Sequence, residues 1–120
     1  MDSQPNDVLE ELRNSIRTFV QEREWDQFHT PKNLAVSLSV EVAELLEPFQ
    51  WLSYGDRAEL GAVNVEHVKE EMADVLIYLI RLADKLDVNL AGAVLSKLEV
   101  NRMKYPAEKV RGSAKKHDEY

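Results

Sequence analysis

The sequence contains no cysteine. That excludes a disulfide scaffold, a thiol nucleophile and a zinc site built on thiolates. It has only four glycines and four prolines, too few turn formers for a fold made of many short strands. No run approaches the ~20 apolar residues of a membrane span. The opening MDSQPNDVLEEL lacks the basic and apolar regions of an export signal. These absences lead us to expect a soluble, cytoplasmic chain with no membrane partner. What is present is ordinary for a globular domain: 120 residues, 44% of them apolar, enough for one domain with a core and against wholesale disorder.

The net charge of −7 is spread unevenly. Residues 1–103 carry 19 acidic and 10 basic side chains, whereas residues 104–120 carry 3 acidic and 5 basic. An acidic body repels nucleic-acid phosphate, so no nucleic-acid partner is expected. Acidic clusters can instead recruit cations, and a cation can recruit a polyphosphate. For most of these acids, solvation of helix faces is a sufficient role.

Hydrophobic spacing predicts helices almost throughout. Val8, Leu9, Leu12, Ile16, Phe19 and Val20 recur at three- and four-residue steps, giving a helix over about 7–24 with Asp7 as N-cap. EWDQFHTPKN reads as a turn ended by Pro31. A second helix is expected over 33–52, apolar on nearly every side, with Pro48 kinking its last turn. SYGDRAELGAVN reads as a loop. A third helix is expected from Asn64 to about Leu86, and a fourth from Asp87 or Asn89 to Met103. Pro106 should stop regular structure. The expected organisation is therefore an all-α four-helix domain over 1–106 and a flexible tail over 107–120.

The chemistry lies in two paired acids. Glu41 and Glu44 stand three apart in SLSVEVAELLEPF, and Glu71 and Asp74 stand three apart in VKEEMADVLIYLI. That spacing puts each pair on one helix face. Leu38, Val40, Val42, Ala43, Leu45 and Leu46 surround the first pair, and Val75, Leu76, Ile77, Leu79 and Ile80 follow the second. A carboxylate in such packing needs neutralising, since an unpaired buried charge costs several kcal/mol. A salt bridge to Arg81 or Lys69 would do this, and so would protonation of one member. Four convergent oxygens on two helices fit magnesium or manganese better. A di-iron bundle would need Glu-x-x-His pairs, and no Glu stands three residues ahead of any histidine.

With E-x-x-E on one helix and E-x-x-D following after 26 residues, the sequence resembles the all-α nucleoside triphosphate pyrophosphohydrolases of the MazG-like superfamily. Within it the chain is most similar to the dCTP pyrophosphatase branch, through REWDQFHTPKNL, SVEVAELLEPFQWL, EEMADVLIYLIRLA and VLSKLEVNRMKYP. These four segments lie in order across roughly residues 8–106. The resemblance implies a four-helix MazG-like bundle assembling into a symmetric oligomer. It makes Glu41, Glu44, Glu71 and Asp74 the magnesium ligands and catalytic carboxylates. Trp25 and His29 match a segment that helps enclose the nucleotide, and Trp51 and Tyr78 match residues lining the base and sugar pocket. Lys97, Asn101, Arg102 and Tyr105 fall in a segment whose polar groups meet phosphate. The chain departs from the broader pattern in two places. Val40 stands where many relatives carry a further Glu, and Ile16 where some carry a pocket histidine.

The expected activity is magnesium-dependent hydrolysis of a nucleoside triphosphate to monophosphate and pyrophosphate, without a covalent intermediate. Manganese is an alternative metal. dCTP and its 5-modified forms are the expected substrates, and clearing of unwanted deoxynucleotides the expected role. Purine or uracil nucleotides are the alternative within the family, and a non-catalytic helical adaptor the alternative outside it. Glu47 and Glu70 are candidates for orienting metal-bound water. The second and third helices carry more apolar circumference than one four-helix unit covers. With the resemblance, this predicts a homotetramer built as a dimer of dimers.

Overall fold

The computed structural model describes residues 5–114, with side chains from residue 8. It is all-α, with no strand among the described residues. Helix α1 spans Pro5–Glu22. It begins two residues before the expected start, so Asp7 falls inside the first turn and is not the N-cap. Pro5 suits that turn, where its missing N–H has no helical partner in any case. A 3-10 turn, Asp26–Phe28, leads to α2, Pro31–Leu46. Thr30 caps α2 by accepting the Asn33 N–H at 3.1 Å.

Helix α2 is shorter than the expected 33–52. Pro48 has no N–H for a helical bond, and the chain tightens at that point into the 3-10 turn Glu47–Phe49. Helix α3, Arg57–Lys85, is longer than expected. Residues 57–64 are not a loop, because Asp56 caps a helix start by accepting the Glu59 N–H at 2.9 Å. The expected start at Asn64 instead lies just past a break at Gly61, whose φ of 78° and ψ of 163° are non-helical and are open to glycine because it lacks a Cβ.

The described residues form two compact units, 5–88 and 89–114. The second contains α4, Leu90–Lys104, with Asn89 capping the Gly92 N–H at 3.0 Å, and a short α5, Ala107–Val110. Pro106 ends α4 as expected, but regular structure resumes at once, because its carbonyl accepts the N–H groups of Lys109 and Val110. Of the tail expected over 107–120, residues 115–120 lie outside the described residues.

In the first unit α2 packs most extensively on α3, and α1 packs on α3 as well. Val20, Leu34, Leu60, Val68 and Ile80 are its buried apolar residues, and Arg81 is buried with them. All of the Arg81 nitrogens are engaged. Nε donates to His29 Nδ1 at 3.2 Å, Nη1 to Asp84 Oδ2 at 3.3 Å, and Nη2 to Asp26 Oδ1. Arg17 on α1 grips Asp84 with two donors, and Lys85 adds a bond to Asp26 at 2.9 Å. This network ties α1 and the 25–29 segment to the C-terminal half of α3.

Candidate active site

Three of the four expected carboxylates converge. Glu41 and Glu44 on α2 and Glu71 on α3 each offer an oxygen within 4.8 Å of the others. All three are half-buried. Glu41 Oε2 and Glu71 Oε2 are buried without a hydrogen-bond partner, which is costly unless something else meets those lone pairs. Burial pushes the Glu41 carboxyl up to about 7. The Glu44 hydrogen bond and charge act in the same direction, followed by the charge of Asp74 and a hydrogen bond with Glu71. Asp74 itself is exposed and stands outside the group of three, although its charge still reaches Glu41.

The salt-bridge alternative does not hold. Arg81 is committed to Asp26, Asp84 and His29, and Lys69 pairs with Glu66 at 3.2 Å. Among the described residues the nearest basic neighbour of the cluster is His67, whose Nε2 lies 3.9 Å from Glu71 Oε1. The four-residue spacing of His67 and Glu71 on α3 brings the two side chains together. Close carboxylates with orphaned oxygens and no committed cation suit a hard divalent ion, which prefers oxygen donors.

The rings are divided. Trp25 meets Phe19 edge to face, with centroids 5.7 Å apart, and Arg23 lies 3.8 Å above the Phe19 ring. His29 accepts from Arg81. Burial first, then the Arg81 charge, lower its pKa from 6.5. Both residues precede α2. Trp51 follows its C-terminal end and is 88% exposed. Sixteen helical residues correspond to about 24 Å, so the Trp25–His29 pair and Trp51 flank opposite ends of α2. Tyr78 is half-buried on α3, one turn beyond Asp74 and on its side of the helix.

In the second unit, Lys97, Asn101 and Tyr105 recur every four residues along one stripe of α4, with Arg102 beside them. Asn101 and Tyr105 are half-buried, and the exposed Arg102 pairs with Glu99 at 2.5 Å. The Tyr105 N–H bonds the Asn101 carbonyl at 2.8 Å and closes the helix.

Known proteins share this sequence and fold. The profile of the MazG-like family matches residues 36–119. Human dCTP pyrophosphatase 1 is 44% identical over 117 residues, covering 96% of this chain and 69% of that protein. The rat dCTP pyrophosphatase 1 is also 44% identical, over 94% of this chain and 68% of its own length. A solved pyrophosphatase structure from Archaeoglobus fulgidus superposes with a TM-score of 0.77 at 47% identity, covering 88% of this chain and 99% of that one.

Proposed function

The chain belongs to the MazG-like family and is a nucleoside triphosphate pyrophosphohydrolase, and from that premise we propose that it cleaves dCTP and 5-modified dCTP to the monophosphate and pyrophosphate with magnesium as cofactor. The observation that carries the metal reading is the convergence of Glu41, Glu44 and Glu71 with two orphaned, buried oxygens. These three, with Asp74 at the rim, would hold the ion. When bound, the ion would draw electron density from a phosphoryl oxygen and orient a water for attack.

The rest of the work falls to the protein's own groups. Exposed rings at Trp25 and Trp51 offer flat surfaces for a base, and stacking contributes about 1–3 kcal/mol per contact with little choice between bases. Choice then rests on hydrogen bonds to the base edge. His29 is suited to one of them, since an Nδ1 that accepts from Arg81 leaves the proton on Nε2 as a donor. The cytosine preference follows the two mammalian relatives, which are named for dCTP.

The division of the rings supports an assembly in which two copies build each pocket, one contributing the Trp25–His29 end of α2 and the other the Trp51 end. Exposed apolar side chains on both helices support the same reading: Val36, Val40, Val42 and Leu46 on α2, and Met72, Leu76 and Ile77 on α3. A homotetramer built as a dimer of dimers covers them. No helix among the described residues is long and apolar enough to cross a membrane, which accords with work on the cytoplasmic nucleotide pool.

A kinetic comparison of dCTP, 5-methyl-dCTP, dATP and dGTP with magnesium tests the proposal. Higher kcat/KM for the cytosine substrates supports it. Equal efficiency on purines overturns the base preference.

A further inference from the structure

The segment between residue 50 and α3 carries the two most exposed rings of the first unit, Trp51 and Tyr54, at 88% and 91% accessible. The backbone beneath them is nevertheless tightly held. The Glu59 carboxylate accepts three consecutive backbone N–H groups: Ser53 on Oε2 at 3.1 Å, and Tyr54 and Gly55 on Oε1 at 2.9 and 2.6 Å. Gly55 sits at φ +72°, and a Cβ placed there would stand 2.7 Å from Phe49 Cδ1. The segment is thus closed against Phe49 on one side and bonded to Glu59 on the other.

Asp56 and Glu59 divide two tasks. In an ordinary capping box the acid three residues on returns to the N-cap's own N–H. Here Asp56 accepts the Glu59 N–H and serves the start of α3, whereas all three backbone bonds of the Glu59 carboxylate go to residues before the cap. Three charge-assisted bonds on one short segment exceed what starting a helix requires, and they fix the base from which Trp51 projects. An indole left almost wholly in water is an effective stacking surface only if its backbone is already ordered, because ordering it on binding would consume part of the stacking energy.

We propose that Glu59 is a positioning residue for nucleotide binding, holding residues 53–55 and so anchoring the chain next to Trp51, which is presented to the base in a fixed orientation. The inference rests on the reading of Trp51 as a base contact and deepens it. Glu59 does not touch substrate and acts through the backbone of Ser53, Tyr54 and Gly55.

The test measures dCTP hydrolysis with magnesium in the full chain for Trp51→Ala, Glu59→Ala, Glu59→Gln and Asp56→Ala. Trp51→Ala should raise KM roughly tenfold, the size of one lost stacking contact. Glu59→Ala should raise KM about fivefold with kcat changed less than about twofold, the pattern of lost uniform binding. Glu59→Gln keeps one acceptor oxygen for Tyr54 and Gly55 and should fall between Glu59→Ala and wild type. Asp56→Ala loses only the cap, so it should lower Tm and leave KM unchanged. In a Trp25→Phe background, where Trp51 is the only indole, its fluorescence anisotropy should fall when Glu59 is replaced by Ala. If Trp51→Ala raises KM and the Glu59 variants do not, the Glu59 inference fails alone. If Trp51→Ala leaves KM unchanged, the Trp51 reading fails and takes the inference with it. Should Glu59→Ala not fold, Glu59→Gln is judged by the same KM criterion.

Discussion

Arg81 Nε donates to His29 Nδ1 at 3.2 Å, while the same guanidinium holds Asp26 and Asp84. A buried arginine between two acids is expected. The third partner is more informative, because a histidine that accepts from arginine is held neutral. Burial is the larger cause of its lowered pKa, and the Arg81 charge the next. By NMR, His29 should titrate below 6.5, and Arg81→Met should move its midpoint upward. A His29 midpoint above 6.5 in the wild-type protein contradicts the arrangement.

Asp84 should govern part of the acid stability. The two Arg17 donors hold its carboxyl below 3.8, against burial, which pushes it upward. The unfolded chain then takes up this proton at a higher pH than the folded one. The contribution is therefore complete above about 3.8 and is lost as pH falls through the lower folded value. Asp84→Asn should destabilise the protein at pH 7, since it removes the acid shared by Arg17 and the buried Arg81. The gap from wild type should narrow toward pH 3 in urea unfolding. A gap that is the same at both pH values would count against this role.

The carboxylate cluster yields an opposite pairing of effects. Glu44→Ala and Asp74→Ala should each lose roughly 3 kcal/mol of transition-state stabilisation, about a hundredfold in kcat. Without metal, Glu44→Ala should melt no lower than wild type, because burial still raises the Glu41 pKa but the added repulsion from the Glu44 charge is gone. Near-normal turnover in both variants would remove these residues from the site.

Metal binding should appear as stability, without reference to turnover. An ion that binds only the folded chain raises Tm by linkage. Millimolar magnesium should therefore raise Tm of the wild-type protein and leave Glu44→Ala unmoved. An adaptor whose acids serve only solvation would show no shift in either.

Assembly is read by light scattering. The account predicts a tetramer, with the dimer as the smallest species able to complete the divided pocket. A monomer at working concentration contradicts it.

The sequence made α2, α3 and their acid pairs legible because i,i+3 spacing fixes a shared face whatever surrounds it. It misplaced the start of α3, although Asp56 and Glu59 form a capping pair that could have been read, because Gly55 and Gly61 gave SYGDRAELGAVN the look of a loop and masked a helix broken at Gly61. It expected four ligands, and the structure gathers Glu41, Glu44 and Glu71, with the exposed Asp74 outside that group. Arg81 was one candidate, with Lys69, for neutralising the cluster by a salt bridge. Its actual partners, Asp26 and His29, come from a turn more than fifty residues away. No local spacing records such a contact.

The central claim is that these carboxylates and their metal make a pyrophosphohydrolase acting on dCTP. A 31P NMR time course of dCTP with the protein and magnesium tests it most directly. The account predicts that dCMP and pyrophosphate appear together in equal amounts, and that chelating the magnesium stops both. Release of orthophosphate with dCDP, or full turnover after chelation, would contradict it.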